Sequence, residues 1–130
     1  MNIGIDMMGG DFAPLEAVKG VQLYLSNAQH NLYCIGDATQ LEALFQQHGI
    51  ASPFLHLIDA PEVIGYHEHP TKALKEKPNS SIAIGFRYLA DGKIDAFLSA
   101  GNTGAMLVGA MFSIKPIKGV LRPTIATLLP

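Results

Sequence analysis

The segment Ser99–Ala105, with the sequence SAGNTGA, carries the residue types best suited to binding an anion. Gly101 and Gly104 allow the backbone to approach a ligand closely. Asn102 and Thr103 add side-chain donors at the start of a predicted helix, where free N–H groups and the helix dipole favour a phosphate. The alternative is a helix cap whose glycines serve only tight packing. The spacing matches neither the GxGxxG fingerprint nor a Walker loop, so a dinucleotide or a nucleoside triphosphate is not favoured.

A second segment, Asp6–Asp11, reads DMMGGD and follows the first predicted strand directly. The pair Gly9 and Gly10 permits unusual backbone angles. The two carboxylates, Asp6 and Asp11, could position hydrogen-bond donors or bind a cation. Alternatively, Asp11 caps the following helix and Asp6 holds the turn in place.

Other reactive residue types give weaker signals. His67 and His69 flank Glu68 without a third clear metal ligand, so we expect them to be solvated. Cys34 lies in the middle of a predicted strand with no nearby base, which favours a buried apolar residue over a nucleophile. No Gly-x-Ser-x-Gly motif supports a serine acyl-enzyme. Four basic residues form either a rim for an acidic partner or a solvated helix face: Lys72, Lys75, Lys77 and Arg87.

Short apolar runs alternate with amphipathic ones, which predicts alternating strands and helices. We expect strands at Asn2–Met7, Asn31–Gly36, Phe54–Asp59, Ile94–Ser99 and about Thr124–Leu129. We expect helices from Pro14 to about Ser26, from the N-cap Asp37 to His48 with Gly49 as the stop, over Thr71–Glu76, from Ser80 or Ser81 to near Gly92, and over Ala105–Ile114. The first helix should face the core with Leu15, Val18, Val21, Leu23 and Leu25.

This alternation is typical of an α/β fold with a parallel sheet. Right-handed crossovers place every strand-to-helix loop at one sheet edge, where ligands bind near a switch point in strand order. The loops at that edge are Asp6–Asp11, Gly36–Asp37, the chain after Asp59, and Ser99–Thr103. The long connection Ala60–Asn79 is also expected to be functional.

Composition limits the protein class. The 130 residues are 48% hydrophobic and 15% charged, which excludes a disordered chain. A net charge of −2 gives no positive field for nucleic acid, and one cysteine excludes a disulfide framework. Without a membrane span or a secretory signal, we expect a cytoplasmic protein. The last predicted strand has no covering helix, so we expect residues 1–130 to be the amino-terminal part of a single α/β catalytic domain in a longer protein.

The two glycine-containing segments and their surroundings resemble a known family. IGIDMMGGDFAP resembles the DAMGGD-x-x-P opening of the PlsX family, the acyl-acyl-carrier-protein:phosphate acyltransferases of bacterial phospholipid synthesis. SAGNTGAM, with IDAF before it and GVLRPTIATLLP after it, is similar to the family's second signature, and APEVIGYHEHPTKALKEKPNSSIAIG to its middle region. The chain departs at Met7, where the family usually has Ala, and at Gly65–Tyr66. Family members are also well over twice as long.

The resemblance implies a parallel-sheet three-layer sandwich similar to the isocitrate/isopropylmalate dehydrogenase and phosphotransacetylase folds, with no nicotinamide, other cofactor or metal. It implies that orthophosphate attacks the thioester of a long-chain acyl carrier protein and releases acyl phosphate. It further implies a homodimer, and peripheral membrane association in some relatives.

Together, the residues and the resemblance suggest roles for individual side chains. We expect Asn102, Thr103 and the backbone of Gly101–Gly104 to bind phosphate at the helix amino terminus. Ser80 or Ser81 is expected to help nearby N–H groups stabilise the tetrahedral oxyanion. The remaining expected site residues are Asp6, Gly9, Gly10 and Asp11, with the carboxylates orienting the glycine loop, and Lys72, Lys75 and Arg87, which contact the carrier protein or its phosphopantetheine.

Two other functions stay open. A phosphotransacetylase-like enzyme would share the phosphate loop and move short acyl groups between coenzyme A and phosphate. A regulatory phosphate- or nucleotide-binding module would bind its ligand without turnover. Assays with acyl-coenzyme A beside acyl carrier protein separate the two enzymes, and phosphate binding without acyl phosphate formation would indicate the module.

Overall fold

A computed structural model describes residues 1–126, in which a four-stranded parallel sheet is flanked by five helices. The strands are β1 (Asn2–Asp6), β2 (Asn31–Gly36), β3 (Leu55–Asp59) and β4 (Ala96–Leu98). The helices are α1 (Leu15–Leu25), α2 (Ala38–Gln47), α3 (Pro70–Glu76), α4 (Ser81–Ala90) and α5 (Thr103–Ser113). The α/β class and the parallel sheet predicted from the sequence are confirmed.

The strand order is β3-β2-β1-β4. The first two connections move the chain outward from β1 in one direction, and the third returns it to the other side of β1. The order therefore reverses between β1 and β4. A reversal of this kind opens a crevice at the carboxyl ends of the two strands.

Helices cover both faces of the sheet, which makes the predicted three-layer sandwich. α1 and α2 enclose a core on one face, formed by Met7, Val18, Val21, Leu32, Cys34, Leu41 and Phe45. On the other face α4 packs against β1, β2 and β4, and α5 packs against both α3 and α4. No helix within residues 1–126 combines the length and the apolar character needed to cross a membrane.

Polar caps and glycines set the ends of several helices where the sequence predicts them. Asp37 caps α2, its side chain accepting a hydrogen bond from the Gln40 N–H at 2.9 Å. Beyond the carboxyl ends of α2 and α4, Gly49 and Gly92 have φ of +63° and +68°. This left-handed backbone is readily adopted by glycine and ends a helix.

The structure corrects three details of the predicted elements. Leu15 and Leu23 of α1 are 39% and 79% exposed, so they do not belong to its buried stripe. Leu23 lies two residues, roughly 200° around the helix, from the buried Val21. β4 is three residues long because it pairs only with β1, from Ile3↔Ala96 to Ile5↔Leu98.

Two further differences concern the carboxyl-terminal part of the chain. α5 begins at Thr103, two residues earlier than predicted, because the Asn102 side chain caps it. Of the predicted strand Thr124–Leu129, residues 124–126 form no strand, since they pair with no strand of residues 1–126. The rest of that prediction lies outside the described residues.

Candidate functional site

The candidate site lies at the switch point, where β1 and β4 end side by side. Asp6, the last residue of β1, is 4% exposed. Its Oδ1 accepts a hydrogen bond from the Met8 N–H at 3.0 Å, and its Oδ2 accepts one from the Ser99 hydroxyl at 2.6 Å. Ser99 Oγ also accepts a hydrogen bond from the Gly101 N–H at 3.0 Å. These bonds join the two glycine-containing segments, which the sequence predicted to meet at one sheet edge.

The same segments touch backbone to backbone through glycines. A Cβ atom on Gly9 would lie 2.6 Å from the Gly101 nitrogen, closer than real Cβ contacts allow. A Cβ atom on Gly101 would lie 3.2 Å from both Asp6 Oδ2 and Ser99 Oγ. Gly10 has φ of +111°, a conformation that favours glycine. Close packing of the protein against itself therefore explains these glycines without a ligand.

Asn102 connects the start of α5 to the long connection that follows β3. It is 5% exposed, and its Oδ1 accepts a hydrogen bond from the Ala105 N–H at 2.9 Å, which caps the helix. Its Nδ2 donates to the carbonyl oxygens of Gly65 at 3.0 Å, Glu68 at 3.3 Å and Tyr66 at 3.5 Å. Both polar atoms of the amide are thus engaged by the protein. The geometry favours a positioning role for this residue over direct contact with phosphate through its side chain.

Thr103 and Gly104 leave donors available at the amino terminus of α5. Within residues 1–126 the structure shows no hydrogen bond from either backbone N–H, as is usual for the first residues of a helix. The Thr103 side chain is exposed. It borders a cavity of about 410 Å³ together with Ser99 and Gly101, and the other residues around this cavity include the apolar Met106, Leu107, Ala110 and Ile125. An anion in this cavity would lie beside Thr103, at the amino terminus of α5.

A second cavity of about 450 Å³ lies on the other side of Ser99 and Ala100. It is bordered by the glycine loop, including Asp6, Gly9, Gly10 and Asp11, and by Phe12 and Glu16. Asp11 is exposed and does not cap α1, because the helix is preceded by Pro14 and has no side-chain cap. The interpretation of Asp11 as a helix cap is therefore wrong, whereas Asp6 does hold its turn, as that alternative proposed.

Part of the connection between β3 and α3 lies against the start of α5. Glu68 holds its local shape, since Oε1 accepts hydrogen bonds from the Gly65 N–H and from Lys77 Nζ, both at 2.6 Å. The contacts with Lys77 and with the Gly65 N–H lower the pKa of Glu68. A Cβ atom on Gly104 would lie 2.5 Å from Pro70 Cγ, so Gly104 allows α3 to approach α5. This glycine serves tight packing, as the alternative interpretation of the motif expected.

Ser80 and Ser81 lie at the amino terminus of α4, and both are buried. The Ser80 hydroxyl donates to the Lys77 carbonyl oxygen at 2.8 Å and accepts from the Ala83 N–H at 3.3 Å, which confirms Ser80 as the cap. Neither serine borders the two cavities beside Ser99. Their expected role in oxyanion stabilisation stays a prediction.

The four basic residues differ in how far contacts within the protein engage them. Lys77 is paired with Glu68, and Lys72 lies 3.8 Å from Glu76 on the exposed side of α3. Arg87 is exposed on α4 and donates to the Pro78 carbonyl oxygen at 3.4 Å. Lys75 is also exposed. Lys72, Lys75 and Arg87 thus stay accessible to a partner, while Lys77 is used to hold the chain.

The remaining reactive side chains are placed as the sequence analysis expected. His67 and His69 are exposed. Within the part of the chain that the structure describes, no three His, Cys, Asp or Glu side chains group closely enough to hold a metal ion. Cys34 is fully buried in β2, and this burial raises the pKa of its thiol to about 12. A thiol in that environment is a packing residue rather than a nucleophile.

Sequence reasoning assigned no role to two residues that connect the site. Ser99 bridges Asp6 and Gly101, and Tyr66 donates through its hydroxyl to the Ala100 carbonyl oxygen at 3.3 Å. The sequence did carry a signal for Ser99. It follows one predicted strand as Asp6 follows another, so the hydroxyl and the carboxylate lie side by side if the two strands pair. Tyr66 gave no signal, since its partner is a backbone atom 34 residues away.

These features define a parallel α/β protein in which a helix amino terminus, held by a network of buried and half-buried side chains, borders a cavity at the topological switch point. The family described as "Fatty acid synthesis protein" matches residues 1–130. The chain belongs to this family, which confirms the resemblance to the PlsX proteins found in its two glycine-containing segments.

Curated relatives support the same assignment. The chain is 44% identical to a protein named phosphate acyltransferase from Caldicellulosiruptor bescii, 43% to one from Pelotomaculum thermopropionicum and 39% to one from Dictyoglomus thermophilum. Each match covers 100% of this chain but only 38% or 39% of the relative. The chain thus spans nearly two-fifths of the length of these proteins.

Proposed function

We propose that the full-length protein containing this chain is a phosphate acyltransferase of phospholipid synthesis. In this proposal it transfers a long-chain acyl group from acyl carrier protein to orthophosphate and releases acyl phosphate. The names of the curated relatives support the acyl transfer to phosphate. The carrier protein as acyl donor comes from the family resemblance.

One observation carries the assignment of this chain's part in the reaction. At the amino terminus of α5, the Thr103 hydroxyl is exposed to a cavity of about 410 Å³, and the N–H groups of Thr103 and Gly104 are free of partners within the described residues. The helix dipole adds favourable electrostatics for a dianion at this position. We assign the phosphate to this place, beside the turn at Gly101 that packs against Gly9.

The reaction needs little from the protein beyond positioning. An oxygen of HPO₄²⁻ attacks the thioester carbonyl carbon and forms a C–O bond, and the C–S bond then breaks. The phosphate proton goes to the departing thiolate, so the products are acyl phosphate and the free thiol of the carrier. Holding the two reactants in line replaces a bimolecular encounter, and backbone N–H groups near the carbonyl stabilise the negative charge of the tetrahedral intermediate.

The structure changes the roles that we assign to the expected site residues. Thr103 contacts phosphate directly in this proposal, and Asn102 positions it by capping α5 and holding the segment around Gly65 and Glu68. Ser80 is occupied as the cap of α4, so we no longer assign it to the oxyanion. For Ser81, only its place beside that cap supports a role.

The binding partners of the full-length protein are predicted from the sequence. Lys72, Lys75 and Arg87 are exposed and remain our candidates for contact with the acidic carrier protein. The homodimer and any peripheral membrane association rest on the resemblance, whereas the cytoplasmic location rests on the sequence features described above. Light scattering of the full-length protein tests the dimer.

The test is steady-state kinetics of the full-length protein carrying Thr103→Val, which keeps the side-chain shape but removes the hydroxyl. Loss of one hydrogen bond to a charged ligand should raise the KM for phosphate about tenfold. The matched control is Thr39→Val, because Thr39 is an exposed threonine in the first turn of another helix, α2, and borders neither of the two cavities beside Ser99. A KM for phosphate that stays unchanged in Thr103→Val would remove Thr103 from the phosphate site.

A further inference from the structure

We propose that Ser99 is a positioning residue of the phosphate-binding loop, acting through its bridge between Asp6 and Gly101. This inference rests on the proposed function, because it concerns the loop that presents α5 to phosphate. Ser99 is not itself among the groups that we assign to contact with the ligand.

The hydrogen bond between Ser99 and Asp6 continues the sheet beyond its last backbone pair. β1 and β4 pair up to Ile5↔Leu98, and the next positions along the two strands are Asp6 and Ser99. At this point a side-chain bond of 2.6 Å joins the strands. The chain of β4 therefore stays attached to β1 for one more residue before it turns toward α5.

The second bond of Ser99 sets the direction of that turn. Its Oγ accepts the Gly101 N–H at 3.0 Å, which fixes the backbone two residues before the first helical position. The turn is pressed against Gly9 at the same time, since there is no room for a Cβ atom between Gly9 and Gly101. The Ser99 hydroxyl thus joins the loop after β1 to the loop after β4.

The bridge determines where the free donors of α5 lie. Asn102, Thr103 and Gly104 follow Gly101 directly, so a rotation of the Gly101 peptide moves all of their N–H groups. Asn102 holds the other side of the same turn through its bonds to Gly65 and Glu68. When Ser99 loses its hydroxyl, the segment keeps this second attachment and the helix can still form. We therefore expect that the variant without this hydroxyl keeps its fold but binds phosphate more weakly, because the N–H groups at the start of α5 are displaced.

The experiment compares Ser99→Ala, Ser99→Thr and Ser113→Ala in the full-length protein. Threonine retains the hydroxyl, and Ser113 is an exposed serine at the other end of α5. We expect Ser99→Ala to raise the KM for phosphate about tenfold, with the KM for the acyl donor unchanged. Ser99→Thr should restore the phosphate KM to within about twofold of the wild-type value, and Ser113→Ala should leave it unchanged. Protection against thermal unfolding by inorganic phosphate should follow the same order, which reports binding without turnover.

Two results would overturn the positioning role while leaving the proposed function intact. One is an unchanged phosphate KM in Ser99→Ala, and the other is an equal rise in Ser99→Ala and Ser99→Thr. If Ser99→Ala does not fold, Ser99→Cys replaces the hydroxyl with a thiol of similar size, whose hydrogen bonds to Asp6 and Gly101 are too weak to hold the bridge, so the phosphate KM should still rise; a KM equal to that of the wild type would also refute the role. A wild-type protein that forms no acyl phosphate from either acyl donor would overturn the proposed function and this inference together.

Discussion

Replacing Asn102 with alanine should destabilise the protein by about 3 kcal/mol. The side chain caps α5 through the Ala105 N–H, and loss of an asparagine cap costs about 1 kcal/mol. Its Nδ2 makes its two shortest hydrogen bonds to the carbonyl oxygens of Gly65, at 3.0 Å, and Glu68, at 3.3 Å. Each contributes about 1 kcal/mol. The contact with Tyr66, at 3.5 Å, adds little because hydrogen bonds weaken at that length.

Two companion variants divide this loss into its parts. Asn102→Ser keeps a cap oxygen but lacks the amide donor, so it should lose about 2 kcal/mol. Asn27→Ala is the matched control, because Asn27 is exposed and its side chain makes no hydrogen bond within residues 1–126. It should lie within about 0.5 kcal/mol of the wild type.

The assay is thermal unfolding of the full-length protein followed by circular dichroism. For a protein of the relatives' length that unfolds as one unit, a loss of 3 kcal/mol lowers the unfolding midpoint by about 4 °C. A midpoint for Asn102→Ala equal to that of Asn27→Ala would refute the reasoning. It would mean that the amide bonds to the segment after β3 contribute nothing to stability.

Three other predictions follow from packing and electrostatics. Gly104→Val should destabilise the protein by about 1–3 kcal/mol, because its Cβ would lie 2.5 Å from Pro70 Cγ, and urea unfolding that matches the wild type would contradict this contact. Glu68 has a pKa lowered by Lys77, so its stabilising effect is present above the unfolded pKa of about 4.3 and is lost as the pH falls through the folded value. The unfolding midpoint of the wild type should therefore fall more between about pH 7 and pH 3 than that of Glu68→Gln, and parallel pH profiles would be the contrary result. Cys34 should resist alkylation by iodoacetamide at about pH 8 until the protein is unfolded, because burial raises its pKa to about 12; peptide mapping that shows labelled Cys34 in the native protein would exclude this.

Much of the fold could be predicted because local signals agree with the tertiary structure. β2 was predicted with its observed bounds, Asn31–Gly36, since a buried central strand reads as a continuous apolar run. Asp37 was predicted as a cap, and either Ser80 or Ser81 as another, because short polar side chains reach the first free N–H groups of a helix; the structure shows Asp37 and Ser80 in these positions. The edge strand β4 was less predictable, because its length depends on how far β1 pairs with it.

The helix α1 was predicted correctly, but the set of residues on its buried face was not. Leu23 was assigned to the buried stripe because it is apolar, although its position on the helix points away from Val18 and Val21. One exposed leucine on a helix is ordinary in a folded protein. The rotation of about 100° per residue along a helix places Leu23 outside the buried stripe.

The site was predictable in location but not in the division of roles. Asp6 and the segment Ser99–Gly104 were singled out from residue types alone, and the structure brings them together at the switch point. The engagement of Asn102 by Gly65 and Glu68 could not be foreseen, because it depends on where a long connection folds back. Motif reasoning identifies a polar residue, and only the tertiary contacts show whether its polar atoms are free.

The most direct test of the central proposal is product analysis with the full-length protein. Palmitoyl-acyl carrier protein is incubated with and without orthophosphate, and palmitoyl phosphate and the free carrier thiol are quantified by mass spectrometry. We expect the two products in equal amounts, only when phosphate is present, and a parallel reaction with palmitoyl-coenzyme A to be slower. Acyl phosphate formed from acyl-coenzyme A alone, or thiol released without phosphate, would contradict the proposal.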